Sequence, residues 1–187
     1  MIKNTYKILV LFLFLFQFSI LTYSQKQSFI GINFTEEWTS NNNIRHGIGF
    51  TFERQMTSSS GFETGLYLRT FTEDLVQTLN TNDYNVSISE VYCSLPILYK
   101  YYSKILNISV GPTLDYFIGW HQRNDESNLN ITSYTISPKF DFGLLLKVSK
   151  PIQIIDKFSI EPEIRYNPIF KYSRYYLGIG IVAKYEL

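Results

Sequence analysis

Hydrophobic and polar positions alternate with a period of two along most of this chain. In residues 175–187, YYLGIGIVAKYEL, the odd positions are apolar and the even positions are mostly small or charged. Residues 134–148, YTISPKFDFGLLLKV, and residues 106–120, LNISVGPTLDYFIGW, alternate with the same period. In these two segments the even positions form the apolar face, with a mild break at Phe117. Because successive side chains of a β-strand point to opposite faces, the alternation predicts strands with one apolar and one polar face.

Eight segments of this kind follow one another. The other five are FIGINFTEEW, IRHGIGFTFERQM, GFETGLYLRTF, ISEVYCSLPILYKYY and FSIEPEIRYNPIF. The fourth strand, residues 88–102, alternates cleanly only from Val91 onward, which indicates a β-bulge. Each segment has the length of about 9 to 11 residues that a tilted strand needs to cross a bilayer. An even number of such strands predicts an all-β, eight-stranded antiparallel up-and-down transmembrane barrel.

The predicted connections alternate between the two ends of the barrel. Polar loops are expected at residues 39–43, 73–85, 121–133 and 168–174, and turns near residues 57–61, 102–105 and 149–157. Long loops at one end and mostly shorter turns at the other are typical of outer-membrane barrels. Aromatic residues at the strand ends predict two interfacial girdles, formed by Trp38, Tyr99, Tyr101, Tyr102, Trp120, Tyr134, Phe158, Phe170, Tyr175 and Tyr185.

The first 24 residues have the order of a secretory signal peptide. Lys3 and Lys7 precede the apolar run ILVLFLFLFQFSILTY, and a polar stretch beginning SQKQ follows it. We expect cleavage between Ser24 and Gln25, which makes residues 25–187 the barrel domain. A retained membrane anchor is the alternative, but the run is short for a spanning helix and Gln17 interrupts it.

Composition and charge exclude several classes of function. The 187 residues fit one domain, and 45% of them are hydrophobic, as expected of an ordered chain. Removal of Lys3 and Lys7 leaves 15 basic residues against 16 acidic ones, a balance that predicts no nucleic-acid partner. Cys93 is the only cysteine, so an intramolecular disulfide is excluded.

The stretch FSIEPEIRYNPIF raises two hypotheses about Glu161 and Glu163. The two residues would share one face of a strand about 7 Å apart, a separation suited to general acid and base chemistry on a sugar. The same spacing arises where charges point into a narrow barrel, whose interior is just wide enough for side chains to fill. We favour a structural network of opposite charges in the lumen, formed by Glu53, Glu63, Arg69, Glu90, Lys100, Asp115, Lys139, Asp141, Lys147, Glu161, Glu163, Arg165 and Lys184.

Other catalytic and metal-binding patterns are weak. His46 and His121 are the only histidines, and neither has a nearby serine and carboxylate arrangement of a hydrolase. His121 with Asp125 and Glu126 could bind a metal, but such residues in a polar loop are more often solvated. We therefore expect no enzymatic activity, no catalytic residue, no metal site and no cofactor.

The second half of the chain resembles a known family of membrane proteins. Residues 86–187 contain LPILYKYY, ISVGPTLDYFIG, FDFGLLLKV, SIEPEIRYN and YLGIGIVAKYEL. These motifs resemble those of the small outer-membrane β-barrel family of Bacteroidota, often described as PorT-like. The resemblance implies location in the cell outer membrane, contact with its lipid and insertion by the barrel assembly machinery. Leu187 stands where such barrels often end in an aromatic residue, so the assembly signal is expected to rest on Tyr185 and Leu187 together.

Three functions are compatible with this sequence. We favour an integral outer-membrane barrel with a structural or interaction role, in which any protein partner is recognised through extracellular loops 73–85 and 121–133. A narrow transport pore is the second hypothesis, which ion conductance would test. A soluble, secreted ligand carrier of the lipocalin kind is the third, which would place the apolar face inward and remain soluble without detergent.

Overall fold

The computed structural model describes residues 27–39, 43–79, 82–123, 133–134, 137, 139–170 and 174–187. The predicted signal peptide, residues 1–24, lies outside the described residues, as do residues 124–132 of the predicted loop 121–133. Among the described residues, no helix is long and apolar enough to span a membrane.

The described residues form one antiparallel sheet. Its strands are β1 (Ser28–Thr39), β2 (Ile44–Gln55), β3 (Ser60–Leu79), β4 (Asn82–Tyr101), β5 (Asn107–Gln122), β6 (Phe140–Ser149), β7 (Ile152–Ile155), β8 (Phe158–Ile169) and β9 (Arg174–Glu186). Neighbours in sequence pair from β1 to β6, β9 pairs with β1 and β8, and β6 pairs with β8, which closes the sheet. Within the described ranges, β7 pairs only with β8. The predicted eight-stranded antiparallel barrel is confirmed, with β7 as a short addition in the predicted turn 149–157.

The sequence alternation becomes an alternation between the lumen and the outside. In β8, Glu161, Glu163 and Arg165 are buried, whereas Ile164 and Tyr166 are exposed. The same rule holds in β6 and β9, where side chains such as Leu146 and Ile179 are exposed. The barrel is therefore apolar outside and polar inside, the reverse of a water-soluble protein.

A bulge between β4 and β5 reverses this alternation locally. The register shifts between Val91 and Tyr92, because Tyr92 pairs with Phe117 and Val91 pairs with Gly119, leaving Ile118 as an extra residue. The irregularity predicted in the fourth strand does occur at Val91, but the extra residue belongs to β5 and not to β4. Beyond the bulge Trp120 pairs with Glu90, which is buried on the lumen side, so Trp120 turns away from the outer face that the sequence predicted for it.

The boundaries of two predicted segments are wrong. Residues 73–79 and 82–85 are not loop but belong to β3 and β4, which pair as far as Leu79 and Asn82. The sixth strand begins at Phe140 and not at Tyr134. Tyr134 packs edge to face on Trp120 at 5.7 Å between ring centroids, so it is not part of an outer girdle.

The barrel has a loop end and a turn end. The loop end is where β1, β3, β5 and β8 finish, and the turn end is where β2, β4, β6 and β9 finish. At the turn end Lys157 adopts φ 67° in the tight connection between β7 and β8. This left-handed conformation is one that residues other than glycine adopt at a cost.

Candidate functional site

The lumen gathers the charged residues that the sequence singled out. Twelve of them are buried: Glu53, Glu63, Arg69, Glu90, Lys100, Asp115, Asp141, Lys147, Glu161, Glu163, Arg165 and Lys184. Lys139 differs from the expectation, because it precedes the first residue of β6 and its side chain is exposed. Its carbonyl oxygen accepts a hydrogen bond of 2.8 Å from the amide of Phe117.

The layer nearest the turn end contains two lysines between two carboxylates. Lys100 Nζ lies 2.9 Å from Glu53 Oε2 and 2.6 Å from Glu161 Oε1, and Lys184 contacts the same two carboxylates. The hydroxyl of Tyr102, just past the end of β4, donates to Glu53 Oε1 at 2.8 Å. Burial, together with the adjacent Glu53 carboxylate, raises the pKa of Tyr102, which therefore stays protonated as a donor at neutral pH.

The next layer is centred on Lys147. Its ammonium group bridges Glu63 and Glu163, with 2.8 Å to Glu163 Oε2. Ser109 donates to Glu63 at 3.3 Å, and Asn33 donates to Glu163 at 3.3 Å. The two carboxylates that suggested catalysis are thus held by lysines in adjacent layers. Because both carboxylates are buried and contact lysine ammonium groups, their geometry favours charge pairing over acid and base chemistry.

The third layer contains three arginines, Arg45, Arg69 and Arg165, and Glu37 of β1 pairs with two of them. Arg45 Nε donates to Glu37 Oε2 at 2.6 Å, and Arg165 Nε lies 2.9 Å from Glu37 Oε1. Asn167 Oδ1 accepts from Arg45 Nη2 at 2.7 Å and from Arg69 Nη1 at 3.1 Å. The Arg45 guanidinium also stacks 3.7 Å from the ring centroid of Tyr176.

The predicted network omitted several side chains of this layer. Glu37 and Arg45 are buried and directly paired, although the sequence analysis left them out of the lumen set. The alternation of the first two strands already places both residues on the polar face, so the sequence was sufficient to predict that they point into the lumen. Asn167 was not predicted as a member of the network, because it is uncharged and the network was predicted from charged residues.

The charges of the three layers balance. Cations and anions are six each in this region: Arg45, Arg69, Lys100, Lys147, Arg165 and Lys184 face Glu37, Glu53, Glu63, Asp115, Glu161 and Glu163. A buried ion is tolerated only when it is paired and hydrogen-bonded. These paired residues are therefore neutral as a set, and the buried Glu90 and Asp141 add two acidic groups to the lumen.

Aromatic and apolar side chains cover this core at the loop end. Phe71, Ile169 and Tyr176 form a buried cluster against which Tyr92 packs. The Tyr92 hydroxyl donates to Glu90 at 2.7 Å, and Tyr134 donates to the same carboxylate. The polar layers and this cluster follow one another along the lumen from the turn end to the loop end.

Metal binding finds little support among the described residues. No group of three or more histidine, cysteine, aspartate or glutamate side chains in that part of the chain could hold a metal ion. Asp125 and Glu126, which the sequence analysis considered together with His121, lie outside the described residues. His121 itself is exposed near the end of β5.

Comparison with known proteins gives the fold. No protein-family model matches the sequence, and no curated protein matches it. The outer membrane protein OprG from Pseudomonas aeruginosa has a similar structure, with a TM-score of 0.57 and 10% identity, over 90% of this chain and 99% of that chain. A major outer membrane protein from Thermus thermophilus has a TM-score of 0.53 and 12% identity, over 86% and 99% of the two chains.

Neisserial surface protein A is also similar. Its TM-score is 0.51 at 6% identity, over 88% of this chain and 98% of that chain. At these identities the likeness concerns the fold alone. The chain has the fold of small outer-membrane β-barrel proteins.

Proposed function

We propose that this protein is an integral outer-membrane β-barrel with a structural or interaction role and a lumen that does not conduct. The observation that carries the proposal is the inverted distribution of polarity. Ile32, Phe50, Leu66, Ile164 and Ile179 are exposed on different strands, while the paired charges are buried. Such a surface is stable against lipid chains and would aggregate in water.

The soluble carrier is disfavoured by the same distribution. A lipocalin-like barrel needs an apolar cavity for its ligand. Here the interior contains lysine, arginine and glutamate pairs, such as Lys147 with Glu163 at 2.8 Å. The apolar face points outward, where it suits a bilayer and not an enclosed ligand.

The transport pore is disfavoured by the filling of the lumen. Conduction requires a continuous water path, whereas Lys100 and Lys184 bridge carboxylates across the barrel at the turn end. The cluster of Phe71, Ile169 and Tyr176 covers the loop end. We infer that the barrel acts through its surfaces and has no enzymatic activity.

Recognition of a protein partner is assigned to the loop end. The hairpin of β3 and β4 extends beyond the start of β2. The first residue of β2 that pairs with β3 is Arg45, opposite Phe71, whereas β3 continues to Leu79. This extension and the segment after Gln122 provide the surface for a partner. We also propose that the chain belongs to the PorT-like family of Bacteroidota, which the motifs of residues 86–187 support. Insertion by the barrel assembly machinery is part of the same proposal.

Fractionation tests the location. We expect the protein in the outer membrane, with a mature N-terminus at Gln25 and a gel mobility that shifts on boiling. A soluble protein whose mobility does not change would refute the membrane proposal. Recordings of ion conductance in planar bilayers test whether the lumen conducts. Stable single-channel steps would refute the non-conducting barrel and support the transport pore.

A further inference from the structure

An open cavity of about 360 Å³, lined by both polar and apolar groups, lies at the loop end of strands β2 to β5. Its lining includes His46, Thr70, Thr72, Asp74, His121 and Arg123. A volume of this size is within the range of about 300 to 1,000 Å³ that is usual for small-ligand sites. Its residues belong neither to the lumen network nor to the aromatic cluster.

The strand register places this cavity on the outer wall. His46 pairs with Thr70, and these residues alternate with Arg45 and Phe71, which are buried on the lumen side. Across β3, β4 and β5, Thr72 pairs with Ser89 and Ser89 pairs with His121. Paired residues of an antiparallel sheet project from the same face, so these side chains also point outward.

The bulge at Ile118 is what brings His121 and Arg123 to this face. Without the extra residue, the alternation from the lumen-facing Phe117 would turn both side chains to the lumen. The bulge reverses the alternation, so His121 joins the outward hydroxyls of Thr72 and Ser89, which lie 3.0 Å apart. The site is therefore a product of the same irregularity that turns Trp120 away from the outside.

The cavity adjoins the apolar wall of the barrel. Ile48 pairs with Leu68 on the outer face, and both are exposed. Two positions further toward the loop end, the pair at the same face is His46 with Thr70. If the apolar wall contacts lipid chains, as proposed above, the cavity lies at the height of the lipid headgroups.

The side chains match a phosphorylated sugar. The Arg123 guanidinium and the two imidazoles supply donors for a phosphate, and the hydroxyls of Thr70 and Thr72 add further donors. Asp74, which accepts a hydrogen bond from Ser87, supplies an acceptor for sugar hydroxyls. We propose that this cavity binds the phosphorylated sugar headgroup of a lipid in the surrounding leaflet. The proposal rests on the outer-membrane function above.

A lipid titration tests the site in the full-length mature chain, refolded in detergent micelles. The probes are a diglucosamine lipid with one phosphate, the same lipid without phosphate, and soluble glucosamine 1-phosphate, with binding followed by native mass spectrometry. We expect the phosphorylated lipid to bind at least about tenfold more tightly than the lipid without phosphate. Arg123→Gln should remove most of this difference, and His121→Gln should reduce it.

Lys104→Gln is the matched control, since Lys104 is an exposed cation at the turn end. Its binding should equal that of the unaltered protein. Equal binding of the two lipids, or unchanged binding by Arg123→Gln, would overturn the proposal. Soluble glucosamine 1-phosphate binding as tightly as the lipid would also overturn it, because the ligand would then be a free solute. Boiling-dependent gel mobility of each sample shows separately whether the barrel itself has folded.

Discussion

Removing the central lysine of the lumen should destabilise the barrel strongly. Lys147 is 2% exposed and bridges Glu63 and Glu163, so Lys147→Met keeps a similar shape and leaves both carboxylates without this partner. Loss of one member of a buried ion pair costs about 3 to 5 kcal/mol. Glu63 retains Lys100 at 3.6 Å, and Glu163 retains Arg165 at 3.3 Å. We therefore expect a loss at the low end of that range, about 3 kcal/mol.

The assay is urea-induced unfolding of the protein refolded in lipid vesicles, with the free energy of unfolding obtained by linear extrapolation. Lys150→Met is the matched control, because Lys150 is an exposed lysine at the turn end and should change stability by less than about 0.5 kcal/mol. Adding Glu163→Gln to Lys147→Met removes one of the two stranded charges, so the double variant should be more stable than the single one. A loss below about 1 kcal/mol for Lys147→Met, or a double variant less stable than the single one, would refute the paired-charge core.

Three further changes test the outer face, the loop end and one turn. Ile164→Lys places a charge on the exposed face near the middle of β8 and should lower the free energy of unfolding in vesicles by about 2 to 4 kcal/mol. Glu163→Gln, at the adjacent lumen position, should lower it by less. The reverse order would mean that the strand faces the other way. Deletion of residues 124–132 should leave the boiling-dependent gel shift intact, since hydrogen bonds between strands close the barrel, and loss of the shift would contradict this. Lys157→Gly relieves the left-handed conformation at φ 67° and should raise the free energy of unfolding by up to about 1 kcal/mol, whereas a clear loss would argue against strain there.

The period of two was sufficient to predict most of the barrel wall. In β8 the alternation of Glu163 with Ile164 is a local property of the chain, because strand geometry alone sends neighbouring side chains to opposite faces. The same reasoning failed at Trp120. There the phase depends on an extra residue at Ile118, and its position is decided by pairing with β4 and not by the composition of β5.

The extent of strands was less predictable than their phase. Residues 73–79 have a polar, loop-like composition, yet their backbone pairs with β4 as far as Leu79. Hydrogen bonds between the two chain segments stabilise this extension, and a single segment gives no sign of its partner. For Lys139 the strand was predicted too long. The alternation of the sequence continues through Lys139 and placed it in the lumen, but the strand begins only at Phe140. The partners of each lumen charge likewise depend on closure, as with Arg45 of β2 and Asn167 of β8.

The ion pairs of the three lumen layers have a consequence for assembly. Lys184 of β9 meets Glu53 of β2, and Arg165 of β8 meets Glu37 of β1, so the partners come from opposite ends of the chain. A partly inserted sheet that lacks β8 and β9 would leave Glu37 with Arg45 alone and Glu53 with Lys100 alone, and each lost ion pair would add to the desolvation cost. Insertion should therefore proceed as one cooperative event, in which the strands cross the bilayer together with the closing of the wall. Half-barrels made by truncation should remain outside the lipid.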